Sequence, residues 1–295
     1  MMLYYLLSFF LKLLSYIPFG VLYFISDCLF YVVYYVARYR KAVVRKNLVG
    51  CFPEKSEQEI KQIEKKFYRF FTDLIFESCK MASISPTELR RRMKFTNVEA
   101  AKAVLREGKT ISLYMGHYGN WEWVSSMPLW MEDNVTSVQI YHKLSNENMN
   151  ALILNYRERM GAVSVEMRKT ARYITEQVAA HNVSIIGFIA DQAPRKKDIR
   201  YYLPFLNHRT PVLTGTEKII KHYGFEAWFL KMKRVKRGYY EAEFVQLHDN
   251  THSLPDFELT DSYFQALEQM ILECPELYLW SHNRFRSAMR LTECN

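Results

Sequence analysis

The five cysteines of this 295-residue chain (Cys28, Cys51, Cys79, Cys274 and Cys294) are odd in number and scattered, with no C-x-x-C among them. That pattern argues against a disulfide framework and a cysteine zinc site, and it fits a reducing compartment. The chain also lacks a P-loop, a dinucleotide glycine fingerprint and a Gly-x-Ser-x-Gly elbow. Their absence removes the sequence grounds for nucleotide, redox or serine-hydrolase chemistry. Internal repeats and low-complexity tracts are missing too, and no linker-like stretch interrupts residues 57–295. His248 and His252 stand four apart, as zinc-binding histidines on a helix would. Asp249, Asn250 and Thr251 between them read as a loop, and no third ligand is near. No metal and no cofactor are therefore expected.

Aromatic residues are abundant: 21 Tyr and 19 Phe, within a hydrophobic share of 49%. Two readings stay open, rings anchored at a lipid interface or an aromatic-rich soluble core. The formal charge of +9 favours anionic partners: nucleic acid, anionic lipid or acidic protein. The basic clusters Arg90-Arg91-Arg92 and 231–237 suit lipid headgroups or an acidic protein, with a solvated surface as the plainer alternative. Aromatics do not interleave with these runs as a nucleic-acid stacking platform requires, so no nucleic-acid partner is expected.

Residues 1–37 hold one Lys and one Asp and are otherwise largely apolar or aromatic. Pro18 and Gly20 divide them, leaving 19–37, a stretch of 19 residues near the lower limit for a spanning helix. Arg38, Arg40, Lys41, Arg45 and Lys46 follow at once, and the positive-inside rule puts that run and everything downstream in the cytoplasm. A signal peptide fits less well, because no basic residues precede the apolar stretch and no small-x-small site follows it. Asp27 is costly in hydrocarbon. A segment lying in the interface, a re-entrant pair with residues 2–16, and a buried core helix are the alternatives to a span.

Past Pro53, residues 57–81 read as an amphipathic helix with an apolar stripe from Ile60 to Ile75. Strands are expected at 110–115, 135–141, 163–166 and 183–190, and helices at 122–131, 147–160 and 169–181. That alternation predicts an α/β fold, a mostly parallel central sheet flanked by helices, with an N-terminal membrane helix. Residues 226–231 and 239–247 read as an antiparallel hairpin at the sheet edge, and 259–273 as a last helix. Two units are expected: an anchor with its basic flank over 1–46 and a catalytic domain over 47–295.

The sharpest local feature is Gly116-His117-Tyr118-Gly119-Asn120-Trp121-Glu122-Trp123, between the strand at 110–115 and a predicted helix. A histidine at the carboxyl end of a strand in an open α/β sheet stands where ligands bind. The glycines allow a tight turn and a close backbone approach. On one continuous helix His117 and Glu122 would point about 140° apart. They meet only if His117 sits on the turn and Glu122 in the first helical turn. The carboxylate then fixes the imidazole tautomer and leaves the other ring nitrogen to take a proton from a hydroxyl. The nearby helix amino terminus would favour developing negative charge. Such equipment suits direct acyl transfer from a thioester to an alcohol. Taken alone, the pair is also what many core histidines would show.

The wider pattern resembles the lipid A biosynthesis late acyltransferase family, whose signature is H-x4-E after a strand. The resemblance covers most of the chain. It takes in Lys41 to Pro53, the His117 block, Met167-Arg168-Lys169, Asp191-Gln192 with Pro194-Arg195, and Leu203-Pro204-Phe205-Leu206 with Thr210-Pro211. It ends on Leu279-Trp280-Ser281-His282-Asn283-Arg284-Phe285. It implies an acyl-carrier-protein thioester as donor, a lipid A precursor as acceptor, and the cytoplasmic face of the bacterial inner membrane. His117 would be the general base and Glu122 its orienting partner. Asp191, Arg168, Arg195, Gly116, Asn120, His142 and Lys143 would serve substrate binding. Asp191 reads alternatively as a strand-end cap, and the two arginines as solvated surface. The chain departs from the family at Tyr141-His142-Lys143, where Tyr-Arg-Pro is usual; neither residue offers a guanidinium's bidentate fork. A lysophospholipid or aminolipid acceptor is therefore the second reading, although the glycerolipid relatives carry H-x4-D and a Phe-Pro-Glu-Gly-Thr block absent here. A catalytically inactive lipid- or carrier-protein-binding module is the third.

Overall fold

The computed structural model describes residues 2–290; Cys294 lies outside them. Two apolar helices come first, α1 (Met2–Tyr16) and α2 (Phe19–Tyr31), divided at Pro18, which supplies no backbone N–H. α2 runs on through a π-helical turn at Val32–Val36. Left-handed backbone at Arg38 (φ 51°) and Arg40 (φ 50°) then turns the chain into α3 (Lys41–Cys51). α4 (Glu57–Lys80) starts on a capping box: Ser56 accepts from the Glu59 N–H while the Glu59 carboxylate accepts from the Ser56 N–H. Its buried residues include Ile60, Phe67, Phe70 and Leu74 of the expected stripe, while Ile75 is exposed.

The sheet-forming part continues through α5 (Pro86–Arg92), β1 (Met93–Thr96), α6 (Val98–Arg106) and β2 (Ile111–Met115). A 3-10 helix over Trp121–Trp130 leads to β3 (Thr136–Tyr141), α7 (Glu147–Glu158), β4 (Val163–Glu166), α8 (Thr170–Ala179) and β5 (Ser184–Ile189). Then come the hairpin β6 (Tyr201–Phe205) and β7 (His208–Val212), α9 (Gly215–Tyr223), β8 (Glu226–Lys236), β9 (Tyr239–His248), α10 (Glu258–Glu273) and β10 (Met289–Arg290). Seven strands form one sheet in the order β1-β9-β8-β2-β5-β3-β4, antiparallel at β8–β9 and parallel elsewhere. The α/β class and the mostly parallel sheet are thus as expected.

Two expectations change. The hairpin of β8 and β9 is not at the sheet edge: β8 pairs with β2, and β9 is covered by β1. The short β1 is not among the strands expected from sequence, and five consecutive buried residues at the start of β8 are what an interior strand requires. The segment expected as an α-helix at 122–131 is 3-10 helical. Ser125 and Ser126 donate their hydroxyls to the carbonyls three residues back, at 2.7 and 2.6 Å, and Pro128 lacks an N–H for the α-helical ladder.

Among the described residues one helix, Phe19–Val36, is long and apolar enough to cross a membrane. It packs along α4, three of whose acidic side chains are buried and bonded to it. Glu64 accepts from the Tyr34 hydroxyl at 2.8 Å, Asp73 from Ser26 at 2.7 Å, and Glu77 from Tyr23 at 3.0 Å. Glu77 also accepts from Asn120 Nδ2 and the Tyr240 hydroxyl, each at 2.8 Å, so one carboxylate joins α2, the turn after β2, and β9. Burial raises its carboxyl above the ordinary range, an effect the three donors partly offset.

Truncating this carboxylate strands three donors, two of them on fully buried side chains, at about 1–3 kcal/mol each. Glu77→Ala is expected to lower the unfolding free energy by at least about 3 kcal/mol, read by denaturant titration in detergent. A loss below about 1 kcal/mol would contradict the junction.

Candidate active site

The strand register brings the site together. β2 and β5 are parallel neighbours with Met115 opposite Ile189. Two residues beyond each lie His117 and Asp191, at the same carboxyl edge of the sheet. Asp191, 2% exposed, holds the histidine twice: Oδ2 accepts from the His117 backbone N–H at 3.0 Å, and Oδ1 meets ring Nδ1 at 2.6 Å. Burial alone would raise the Asp191 carboxyl. The His117 ring and N–H, with the Arg284 guanidinium, outweigh it and hold the carboxyl below its ordinary value. An ionised Asp191 can only accept, so Nδ1 donates to it, and in the neutral ring Nε2 is the acceptor. The Gln192 side-chain amide lies 3.3 Å from Nε2, and the Trp121 ring packs edge-on against the imidazole.

Glu122 does not occupy the orienting position assigned to it from sequence. Its carboxylate is held by Arg157 of α7 through two bonds, 2.6 and 2.8 Å, and makes no hydrogen bond to His117. The 3-10 path after Asn120 carries the carboxylate toward α7, where a bidentate guanidinium receives it. Burial would weaken the Arg157 proton, but Glu122 reverses the effect and raises its pKa. His117, Glu122 and Arg157 nevertheless line one cavity.

Two residues expected to bind substrate face the protein interior in this fold. Asn120 is fully buried; its oxygen caps the Trp123 N–H at 3.1 Å while its nitrogen donates to Glu77. Gly116 does not line the cavity, and a Cβ there would stand 2.6 Å from Leu267. Gly119, at φ +57° and facing the Met232 sulfur, is a position that a side chain would strain. The carboxyl-terminal segment straps the turn from outside: Gly119 donates to the Leu277 carbonyl and Leu279 to the His117 carbonyl, each at 3.0 Å. His282 in that strap accepts from the Ala193 N–H at 3.3 Å, and burial lowers its pKa to about 4.

The cavity beside His117 has a volume of about 590 Å³. Met115, Val124, Met127, Val138, Ile140 and Leu154 supply an apolar lining, with Gln192, His142, Arg168 and Arg195 also on its wall. An adjoining cleft is lined by His142, Lys143 and Arg168. His142 Nδ1 is bonded to the Lys143 carbonyl at 3.0 Å, Lys143 reaches Glu147 at 3.4 Å, and Arg195 is paired with Asp198. Arg157 escaped the sequence reading because nothing in its own helix marks it; only the fold sets it opposite Glu122.

A sequence model described as "Bacterial lipid A biosynthesis acyltransferase" matches residues 1–287. The chain is also similar to a lipid A biosynthesis acyltransferase of Haemophilus influenzae. The two are 23% identical over 289 residues, 92% of this chain and 84% of the relative.

The depressed Asp191 carboxyl has a consequence for stability. A folded value below the ordinary 3.8 contributes stability that is fully present above 3.8 and lost as pH falls through the lower folded value. Asp191→Asn is expected to flatten this acid-side fall, followed by unfolding from about pH 5 downward. An unaltered pH profile would contradict the ionised pair.

Proposed function

The chain belongs to the bacterial lipid A biosynthesis acyltransferase family, and from that premise we propose that it moves a fatty acyl chain from an acyl-carrier-protein thioester to a hydroxyl of lipid A or its precursor. Membership supports acyltransferase activity on lipid A; the donor, the bond formed and the residue roles are the proposal. The observation that carries it is the His117–Asp191 pair beside a largely apolar cavity of about 590 Å³, within the range of small-molecule sites.

The acceptor hydroxyl displaces the Gln192 amide and donates to His117 Nε2. As its oxygen attacks the thioester carbonyl, His117 takes the proton, and Asp191 stabilises the imidazolium. The tetrahedral intermediate collapses to the ester, and the imidazolium returns its proton to the departing thiolate. No covalent acyl-enzyme is needed. The 3-10 helix begins at Trp121, four residues after His117, and its amino-terminal dipole favours the developing oxyanion. Glu122, expected to orient the imidazole, acts instead through Arg157 on the cavity wall. Arg168, Arg195, His142 and Lys143 face the acceptor's phosphates or the carrier protein, and the chain's +9 charge suits an acidic carrier. Residues 1–46 hold the protein to the cytoplasmic face of the inner membrane, and 47–295 carry the chemistry.

A second reading keeps the chemistry and changes the acceptor to a lysophospholipid or aminolipid. Tyr141-His142-Lys143 favours it, since both side chains are engaged locally and neither forms a bidentate fork.

Detergent-solubilised protein, acyl-carrier-protein thioesters of several lengths and a tetra-acylated lipid A precursor test the proposal by mass spectrometry. A gain of one acyl chain is expected, and His117→Ala should slow it by about 10²–10⁴-fold. An unchanged rate in that variant would refute the base. Transfer only to a lysophospholipid or aminolipid selects the second reading, and transfer to nothing would leave a binding module.

A further inference from the structure

The apolar segment at Phe19–Val36 is 22% buried, and how it is buried bears on its relation to a membrane. It is fastened to the domain along its whole length. At its start Lys80 donates to the carbonyls of Ser15 and Ile17, at 2.5 and 3.0 Å. At its middle Ser26 donates to Asp73, and Asp27 is paired with Arg237 from the turn between β8 and β9. Arg237 also pairs with Asp73 and donates to the Tyr23 carbonyl. At its end Tyr34 donates to Glu64, which Arg45 also grips at 2.6 Å.

From Ile17 to Tyr34 a helix advances roughly 26 Å, close to the thickness of a hydrocarbon core. A spanning arrangement that kept these contacts would drag α4 into the hydrocarbon. α4 exposes Lys61, Lys66 and Arg69, and such charges are expelled from the bilayer interior. A spanning arrangement that broke them would take the Tyr34, Ser26 and Tyr23 hydroxyls from the buried Glu64, Asp73 and Glu77, leaving each carboxylate only part of its donor set. Among the described residues the exposed face of the two helices is largely apolar: Phe10, Leu13, Phe24, Tyr31 and Val36 are all more than half exposed, Val36 at 77%, with Lys12 an exposed charge on α1. Arg38 and Arg40, both exposed, follow directly at the end of that face.

We infer that α1 and α2 form an in-plane membrane platform built into the acyltransferase domain, with no segment crossing the bilayer. The partner is a lipid bilayer surface, with apolar and aromatic side chains in its outer layer and Arg38 and Arg40 among anionic headgroups. Asp27, unfavourable in a span, is here the acidic half of an ion pair on the domain side. Both chain ends lie on the same side of the membrane. The inference rests on the membrane location proposed above and replaces a spanning anchor with an interfacial one.

The test uses the full chain, carrying a protease-cleavable tag at each end, reconstituted with vesicles of phosphatidylethanolamine and phosphatidylglycerol. External protease is expected to remove both tags from the same molecules. An amino-terminal tag protected while the carboxyl-terminal tag is cut would overturn the inference and leave the membrane location standing. Failure of the protein to float with the vesicles would remove the membrane location and the inference together. Phe24→Asp is expected to weaken flotation by at least about tenfold, with an unchanged melting temperature in detergent. Undiminished flotation of that variant would also overturn the platform.

Discussion

A buried carboxylate, Glu77, is the junction on which the arrangement depends. Desolvation makes a lone charge in the interior expensive, so the anion is tolerated only if its lone pairs are filled. Three elements distant in sequence fill them: Tyr23 of α2, Asn120 of the turn after β2, and Tyr240 of β9. Each needs the others in place, because a partly satisfied network is worse than an apolar one. The turn that carries His117 is therefore held by the same group that seats the amino-terminal helix, and the reacting edge of the sheet is joined to the proposed membrane face.

The site follows a similar economy of charge. Two carboxylates stand near His117, and the fold gives each a different principal partner. Asp191, buried and doubly bonded to His117, is the one that determines which ring nitrogen is free. Glu122 is neutralised by Arg157. Exchanging these partners would leave a buried Asp191 without its ring donor, the costlier outcome of the two. The 3-10 path through Trp121 and the serines that bond back along it is the backbone feature that separates the two carboxylates.

Much of the architecture was legible from residue pattern. Strands at 163–166 and 183–190, and helices at 57–81 and 259–273, appear within about a residue or two, because period-2 and period-3.6 burial is a local signal. β1 and the β6–β7 hairpin with β10 left no such mark. β1 and β10 exist only through distant partners, β9 and β7, and the β6–β7 hairpin pairs only with itself and β10. The hairpin of β8 and β9 was visible as a pair, but its place in the sheet was not, since nothing in a hairpin records which strand will cover it.

The same division runs through the candidate site. Residue pattern by itself determined that His117 stands on a glycine-flanked turn at a strand's carboxyl end, and that an apolar amino-terminal stretch precedes a basic flank. Both are matters of neighbours in the chain. Only the tertiary structure decided that the histidine's carboxylate partner is Asp191, 74 positions away, rather than Glu122, five positions away. It alone decided that Asn120 serves the interior, and that the apolar helix is bonded to α4 from end to end. Those outcomes turn on strand register and on which buried charges find donors, and both are settled only when the whole chain has packed.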